Sequence, residues 1–204
     1  MPDAPQIYLA TPPEIDLASF PDALARVLDG AAVACLRIDL ASRDEDHVRR
    51  AADALREVAH ARDVPAVIAG HVALVRPLGL DGVHLAGPAA QIRRARADLP
   101  EDAILGAFAG ASRHEGMTAG ELGADYVAFG PIGPTALGAA ERAPRELFEW
   151  WSEMIELPCV AEGAIGPAEI EALAPVADFI CVGEEVWRAE DPLAALLTLT
   201  APLR

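Results

Sequence analysis

Three polar side chains alternate along one short apolar stretch near the start of the chain. Cys35, Arg37 and Asp39 are separated by Leu36 and Ile38. Because successive side chains of an extended segment point to opposite faces, the three polar groups share one face of a predicted strand. A guanidinium and a carboxylate on one face can bind a polar small molecule. Cys35 is either a thiol made reactive by the neighbouring arginine or, the favoured interpretation, a small buried hydrophobe.

Two glutamates follow two successive apolar segments late in the chain. Glu162 follows Cys159–Ala161, and Glu184 comes shortly after Phe179–Val182. If these segments are neighbouring strands, the two carboxylates face each other and cannot both stay ionised unless a cation separates them. The pair then predicts a site for a cationic group, either a substrate amine or a metal ion. The alternative is that Glu184 caps the following helix and Glu162 pairs with an arginine such as Arg37.

The basic residues and the thiols restrict the chemistry further. All 16 basic residues are arginines, and the sequence contains neither lysine nor asparagine. A Schiff-base lysine and a lysine bound to a phosphate are therefore excluded. Cys35, Cys159 and Cys181 lie in separate apolar segments, which indicates reduced, buried thiols. The start of the sequence lacks the basic and apolar regions of a signal peptide, so we expect a cytoplasmic protein.

These residues belong to a chain in which short apolar segments alternate with amphipathic ones. The predicted strands are Ile7–Ala10, Val33–Ile38, Ala66–Ile68, Gly82–Leu85, Ile104–Phe108, Tyr126–Phe129, Cys159–Ala161 and Phe179–Val182. The predicted helices are Asp16–Leu28, Glu45–Ala61, Val72–Leu78, Ala89–Ala97, His114–Leu122, Arg145–Glu156, Pro167–Leu173 and Pro192–Leu199. Asp44, Pro88, Pro144 and Pro167 provide cap or first-turn signals at four of the helix starts.

The alternation is compatible with a closed barrel or with an open, doubly wound sheet. The number of units and their spacing of about 25 residues favour an α/β fold with a single (β/α)8 TIM barrel over residues 1–204. No glycine-rich dinucleotide motif follows the first strand, which weakens the alternative. Active sites of such barrels lie at the C-terminal strand ends, so we expect a small-molecule ligand at that mouth.

Charge and apolar patterning limit the possible partners. The formal net charge is −16 and the sequence pI is near 4.6, so the chain repels nucleic acid and acidic membrane surfaces. No apolar run reaches the roughly 20 residues that a membrane-spanning helix needs. The adjacent Trp150 and Trp151 lie on a predicted outer helix, where one can pack on the barrel and the other can support a homodimer.

Four stretches carry a resemblance to a known family. They are IYLAT (7–11), VPAVIAGHVALVRPLGLDGVHLAG (64–87), LGADYVAFGPIGPT (122–135) and LPCVAEGAIGPAEI (157–170). The order of LDGVHL (80–85), GADY (123–126) and FGP (129–131) makes the resemblance specific. The chain resembles the thiamine phosphate synthase and thiazole tautomerase (TenI) superfamily as a divergent member. In thiamine biosynthesis this family joins an aminopyrimidine diphosphate to a thiazole phosphate with Mg²⁺ and expels pyrophosphate.

The resemblance also implies which residues act. Arg37 and His84 are the catalytic candidates, although His84 can equally be a hydrogen-bonded histidine of the core. The residues expected to bind substrate are Cys35, Asp39, Gly130, Thr135, Glu162, Gly163 and Glu184. Arg37 is the retained member of a Gln-x-Arg-x-Lys pattern of the family, in which Cys35 and Asp39 replace the glutamine and the lysine.

Other groups of the family are replaced. Ala69-Gly70 stands where the family has an Asn-Asp pair, and no acid follows the fourth strand, so we expect no Mg²⁺ site and no other cofactor. Leu137 and Gly138 replace a threonine and a lysine of the phosphate loop. Glutamates stand after the last two strands, where the family binds an anion.

We therefore expect altered or absent synthase activity. One alternative is a non-catalytic barrel that binds a small molecule. A thiazole tautomerase-like protein is another, although Gly110 stands at the position of the tautomerase histidine. A third alternative, a phosphate-binding barrel enzyme of the amino-acid or ribulose-phosphate type, is opposed by the same two glutamates.

Overall fold

The computed structural model describes residues 4–134 and 141–203, and in these ranges strands and helices alternate. The strands are β1 Gln6–Ala10, β2 Cys35–Ile38, β3 Ala66–Ala69, β4 Gly82–Leu85, β5 Ile104–Phe108, β6 Tyr126–Phe129, β7 Cys159–Ala161 and β8 Phe179–Val182. The helices are α1 Phe20–Gly30, α2 Glu45–His60, α3 Val72–Leu78, α4 Ala89–Asp98, α5 Arg113–Glu121, α6 Arg145–Met154, α7 Pro167–Leu173, α8 Glu184–Trp187 and α9 Pro192–Leu199. A short 3₁₀ helix, Ala201–Leu203, follows.

The strands form a closed parallel barrel in sequence order, which confirms the predicted (β/α)8 TIM barrel. Strand β1 pairs with β2 on one side and with β8 on the other, where Tyr8 lies opposite Cys181. Closure leaves no free sheet edge, and all strands end at the same mouth. Arg37 and Glu162 therefore lie at the same end of the barrel.

Two apolar layers follow from the alternation of side chains along each strand. The outward-facing residues pack against the helices in one apolar core that includes Leu9, Leu36 and Ile68. The inward-facing residues fill the barrel with small and medium side chains and two phenol rings. These interior residues are Tyr8, Ala10, Cys35, Val67, Tyr126, Ala128, Val160 and Cys181.

Three aspartates brace the lower rim of the barrel by the same contact. Asp81 accepts a hydrogen bond from the backbone N–H of Ala66 at 2.7 Å, and Asp125 accepts one from Leu105 at 2.7 Å. Asp178 accepts one from Cys159 at 2.8 Å. Each aspartate precedes an even-numbered strand and holds the start of the odd-numbered strand before it. The recurrent apolar–Asp step of the sequence is thus a structural device that pairs neighbouring strands.

Helix ends follow the local chemistry of the sequence. Asp44 caps α2 by accepting from the N–H groups of Asp46 and His47, as predicted. Helix α1 begins at Phe20 and not at the predicted Asp16, because Asp16 instead closes a turn by accepting hydrogen bonds from Ala18 and Ser19. The short helix α8 was not predicted.

The outer helix α6 carries the paired tryptophans. Trp151 is buried and donates from Nε1 to the carbonyl oxygen of Leu157 at 2.7 Å. Trp150 is half-buried, and the Arg113 guanidinium lies over its ring at 4.6 Å. None of the helices in the described part of the chain has the length and apolar character needed to cross a bilayer.

Candidate functional site

A cavity of about 410 Å³ opens at the C-terminal ends of the strands. Arg37 and Asp39 enter it from the end of β2, His84 from β4, Phe108 from β5 and Glu162 from the residue after β7. Four residues that the sequence predicted for the site line it: Arg37, Asp39, His84 and Glu162. Larger grooves occur on the outside and at the lower rim of the barrel, but none of these five side chains lines them.

The charges of the cavity are concentrated in one ion pair. Nη1 of Arg37 donates to Oε2 of Glu162 at 2.6 Å, and the two side chains are only 10% and 15% exposed. Asp39 lies on the other side, with Oδ2 at 3.4 Å from Arg37 Nε. Among the residues that the structure describes, Nε is buried and has no hydrogen bond of good geometry. One cation thus faces two carboxylates. This confirms one of the two sequence interpretations, the pairing of Glu162 with Arg37.

Burial and neighbouring charges act in opposite directions on Arg37. Desolvation by burial lowers the pKa of the guanidinium, but the carboxylate of Glu162, followed by Cys181, Tyr8 and Asp39, raises it well above its ordinary value. The arginine therefore stays charged, and its charge is taken up by groups of the chain itself.

Below the ion pair, three polar side chains form a hydrogen-bonded row inside the barrel. Nδ1 of His84 lies 2.9 Å from the hydroxyl oxygen of Tyr126, which lies 2.5 Å from the hydroxyl oxygen of Tyr8. The Arg37 guanidinium lies over the Tyr8 ring at 5.8 Å, so the row touches the ion pair. Burial, followed by the Arg37 charge, lowers the pKa of His84 well below its ordinary value. Burial also raises the pKa of both tyrosines, so all three groups are neutral.

The sequence interpretation included His84 but missed Tyr8 and Tyr126. A signal was present: the chain has two tyrosines, and both fall in predicted strands where alternation can turn them inward. Gly106 was a further signal. A Cβ atom at Gly106 would lie 2.0 Å from Cζ of Tyr126, so the phenol occupies the space that a side chain would fill.

The other predicted substrate-binding residues that the structure describes lie in different parts of the barrel, outside the lining of the mouth cavity. Cys35 is buried in the barrel interior, and burial raises its pKa to about 12, so the thiol is a core group and not a reactive one. Gly130 packs against Glu162, because a Cβ there would lie 2.3 Å from the carbonyl oxygen of Glu162. Gly163 adopts φ +90° and packs against Pro131. Thr135 lies outside the described residues.

The prediction that Glu184 faces Glu162 is wrong. Glu184 is 46% exposed, forms an ion pair with Arg188, the residue that follows α8, and lines an outer groove beside Trp187. Helix α8 begins at Glu184 and turns this side chain away from the mouth. The capping contact expected of Glu184 is made by Glu185, whose Oε2 accepts from the backbone N–H of Gly183 at 3.0 Å.

The residues present do not fit a divalent metal site. In the ranges 4–134 and 141–203 no three histidine, cysteine or acidic side chains come close enough together to hold an ion. The two carboxylates of the mouth are directed at Arg37, and β3 ends in Ala69 and Gly70. Mg²⁺ prefers several oxygen ligands, which this arrangement does not offer.

Comparison with known proteins gives a consistent set of relatives. The family model described as thiamine monophosphate synthase (TMP-TENI) matches residues 7–186. A thiamine-phosphate synthase of Rhodospirillum centenum is 38% identical over 202 residues, which cover 98% of both chains. One of Hyphomonas neptunium is 39% identical over 204 residues, covering 96% of this chain and 92% of its own.

Solved structures agree in fold. The thiamine phosphate pyrophosphorylase of Pyrococcus furiosus superposes with a TM-score of 0.83 at 22% identity, covering 97% of this chain and 95% of that chain. The 3-hexulose-6-phosphate synthase of Salmonella typhimurium superposes with a TM-score of 0.76 at 17% identity, covering 97% and 98%. At these identities the likeness concerns the barrel alone.

Proposed function

We propose a function for this chain on the premise that it belongs to the thiamine monophosphate synthase family. Its barrel binds a small neutral or positively charged molecule at the C-terminal mouth, and it has altered or no thiamine-phosphate synthase activity. The observation that carries this proposal is the buried ion pair between Arg37 and Glu162. The names of its relatives point to the synthase reaction, whereas the charges of its own mouth point away from a diphosphate substrate.

The departure of a diphosphate requires cations and amide donors that neutralise the developing charge. Arg37 cannot provide this, because Glu162 at 2.6 Å and Asp39 at 3.4 Å already compensate it. A carboxylate within about 4–6 Å of a phosphate is repulsive by several kcal/mol in a poorly solvated pocket. The mouth therefore selects against polyanions.

Two backbone donors near the last two strands are occupied as well. The N–H of Gly183 after β8 is bonded to Glu185, and the N–H of Gly166 before α7 is bonded to Glu169, both at 3.0 Å. Backbone amides of this kind are common anion ligands. Here, carboxylates of the chain itself hold them, which supports the same proposal.

The chemistry proposed for the mouth involves no Mg²⁺ or other cofactor, since its carboxylates are directed at Arg37. Within this proposal, a non-catalytic binding barrel is the limiting case in which no reaction remains. A thiazole tautomerase-like protein is the other alternative. It receives less support, because Gly110 offers no side chain for proton transfer. We also propose a cytoplasmic protein, from its buried thiols, and a homodimer that uses the α6 surface.

A steady-state assay with the aminopyrimidine diphosphate, the thiazole phosphate and Mg²⁺ tests the proposal. We expect no turnover above background, and calorimetry should detect no binding of pyrophosphate. Turnover near that of an authentic synthase, or binding of pyrophosphate with Mg²⁺, would contradict it. A thermal-shift panel then separates the alternatives, because stabilisation by amines alone indicates a changed ligand class and stabilisation by phosphorylated thiazole indicates a retained one.

A further inference from the structure

We propose that His84, supported by Tyr126 and Tyr8, binds a neutral polar group of the ligand and acts as donor or acceptor according to what that ligand presents. The inference rests on the proposed function in one respect, the location of the ligand at the mouth. The ligand belongs to one chemical class: it is a compact, neutral heteroaromatic or carbonyl-type molecule with one polar atom directed at His84.

The position of the imidazole leaves one nitrogen for a ligand. Its Nδ1 atom is engaged by the Tyr126 hydroxyl at 2.9 Å, while the residue also lines the mouth cavity. Within the described ranges, no protein group forms a hydrogen bond with Nε2. Nε2 is also not among the fully buried polar atoms that lack a partner, so it is open to the cavity and is the atom that an occupant would bond.

The hydrogen-bonded row can run in two directions. If the ligand accepts from Nε2–H, then Nδ1 accepts from the Tyr126 hydroxyl, and Tyr126 accepts from the Tyr8 hydroxyl. If the ligand donates to Nε2, then Nδ1–H donates to the Tyr126 hydroxyl, and the Tyr126 hydroxyl donates to Tyr8. The two states contain the same number of protons: the imidazole carries its single proton on Nε2 in the first and on Nδ1 in the second, and the two hydroxyls turn to match. Every group is neutral in both states, so neither contains a buried charge.

The barrel accommodates this hydrogen-bonded row through the positions of its strands and through one glycine. Its members come from three different strands, and Gly106 on a fourth leaves the space that the Tyr126 ring occupies. The three polar groups are almost fully buried among aliphatic side chains, where a polar group without a partner is destabilising by about 1–3 kcal/mol. A fully apolar interior would be the simpler solution, so the row is best explained by a role at the cavity.

The surroundings of His84 determine the class of ligand. A positive charge on the imidazole is disfavoured by burial and by the nearby Arg37, so His84 does not pair with an anion. Phe108 provides an apolar wall of the same cavity. A flat, neutral ring with one polar atom matches both features.

The test is nitrogen NMR of the histidine side chains in the full-length protein, with the His84 signals assigned by their loss in His84→Gln. Two small aromatic probes differ in one property: pyridine only accepts a hydrogen bond, and pyrrole only donates one. Both are neutral at about pH 8. We expect bound pyridine to place the His84 proton on Nε2, and bound pyrrole to place it on Nδ1. We also expect both probes to bind about tenfold more weakly to His84→Gln.

Tyr126→Phe provides a second test, because a purely structural role of Tyr126 would not change the affinities for the two probes differently. Without the phenol, the tautomer with Nδ1–H leaves a buried donor unpaired, which is less well tolerated than an unpaired acceptor. Pyrrole binding should therefore weaken about tenfold while pyridine binding changes less.

The inference fails if both bound probes leave His84 in the same tautomer, or if neither probe binds. If either of these results is found and pyrophosphate does not bind to the protein, the inference fails and the proposed function stands. Binding of pyrophosphate or turnover of the synthase substrates overturns the proposed function whatever the probes do.

Discussion

At the scale of single residues, Glu162 pairs with the arginine that lines the mouth cavity. It is held in place from both sides: its N–H donates to the carbonyl of Phe129, and its own carbonyl accepts from Ile132. Its carboxylate can therefore reach Arg37 with little loss of side-chain freedom. Removing this one charge should leave a buried guanidinium that seeks another anion.

We predict that Glu162→Gln gains affinity for pyrophosphate. Calorimetry should detect binding to the variant at pyrophosphate concentrations at least about tenfold below those at which the wild type shows none, because the freed Arg37 charge becomes available. The variant should also unfold at lower temperature, since breaking a buried pair is destabilising by about 3–5 kcal/mol, and pyrophosphate should restore part of the loss.

Glu153→Gln is the matched control, because it removes the same charge from an exposed position of α6. If both variants gain affinity equally, the net charge of the molecule and not Glu162 excludes anions.

A second residue-scale prediction concerns the pH dependence of stability. His84 is neutral when folded and its pKa is lowered, whereas in the unfolded chain it has the ordinary value of about 6.5. The unfolded state therefore binds the extra proton first as the pH falls. The contribution of His84 to stability is complete above about pH 6.5 and decreases below it, by about 1.4 kcal/mol per pH unit.

Urea unfolding between about pH 7 and pH 5 measures this slope before most carboxylates titrate. His84→Gln should unfold with a smaller slope over the same interval. An equal slope in the two proteins would show that other groups cause the effect.

The candidate site was only partly predictable at this scale. Alternation along β2 was sufficient to place Arg37 and Asp39 on one face. The pairing of Arg37 with Glu162 was one of two open interpretations, because it depends on the distance across a closed barrel. Alternation was a signal that Tyr8 and Tyr126 can point inward, but their contact with His84 could not be derived, since residues from three strands meet there only once the register is known.

At the scale of elements, the three aspartates below the barrel explain how short strands keep their register. Strand β7 has only three residues, so each contact at its start matters. Asp178 bonds the N–H of Cys159, the first residue of β7, and thereby couples β8 to β7. A charged acceptor makes a stronger hydrogen bond than a neutral one.

We predict that Asp178→Ala lowers the free energy of unfolding by about 1–2 kcal/mol, because the N–H of Cys159 loses its partner. Asp178→Asn should retain most of the stability, since its amide oxygen can accept the same bond. Chemical unfolding measures both. Asp98→Ala, on the exposed end of α4, is the control and should change stability by less than about 0.5 kcal/mol. Equal losses at the two positions would contradict the bracing role.

The elements themselves were largely readable from the sequence. Apolar runs bounded by turn residues located every strand, and β4 to β8 have the predicted limits. Helix starts were less certain where two local signals competed, as at Asp16, which forms a turn four residues before α1 begins. Helix α8 was missed because four residues are too few to show a helical period.

At the scale of the whole molecule, the excess of acid dominates the surface. The sequence has 32 acidic and 16 basic residues, so mutual repulsion acts on the folded state at neutral pH. Ion pairs among the described residues offset part of it. Most of them, such as Arg94 with Asp98, are exposed and contribute little.

We predict that added sodium chloride raises the melting temperature of this protein. Salt screens both repulsion and exposed ion pairs, but the repulsion acts among many more charges and the exposed pairs are weak to begin with. The buried pair of Arg37 and Glu162 is screened much less, so it should keep its effect on anion binding across the series.

Scanning calorimetry from about 0.02 M to about 0.5 M salt tests the balance, with choline chloride as a second electrolyte to separate screening from specific sodium binding. A melting temperature that falls with both salts would mean that attraction between exposed pairs, and not repulsion, dominates the surface.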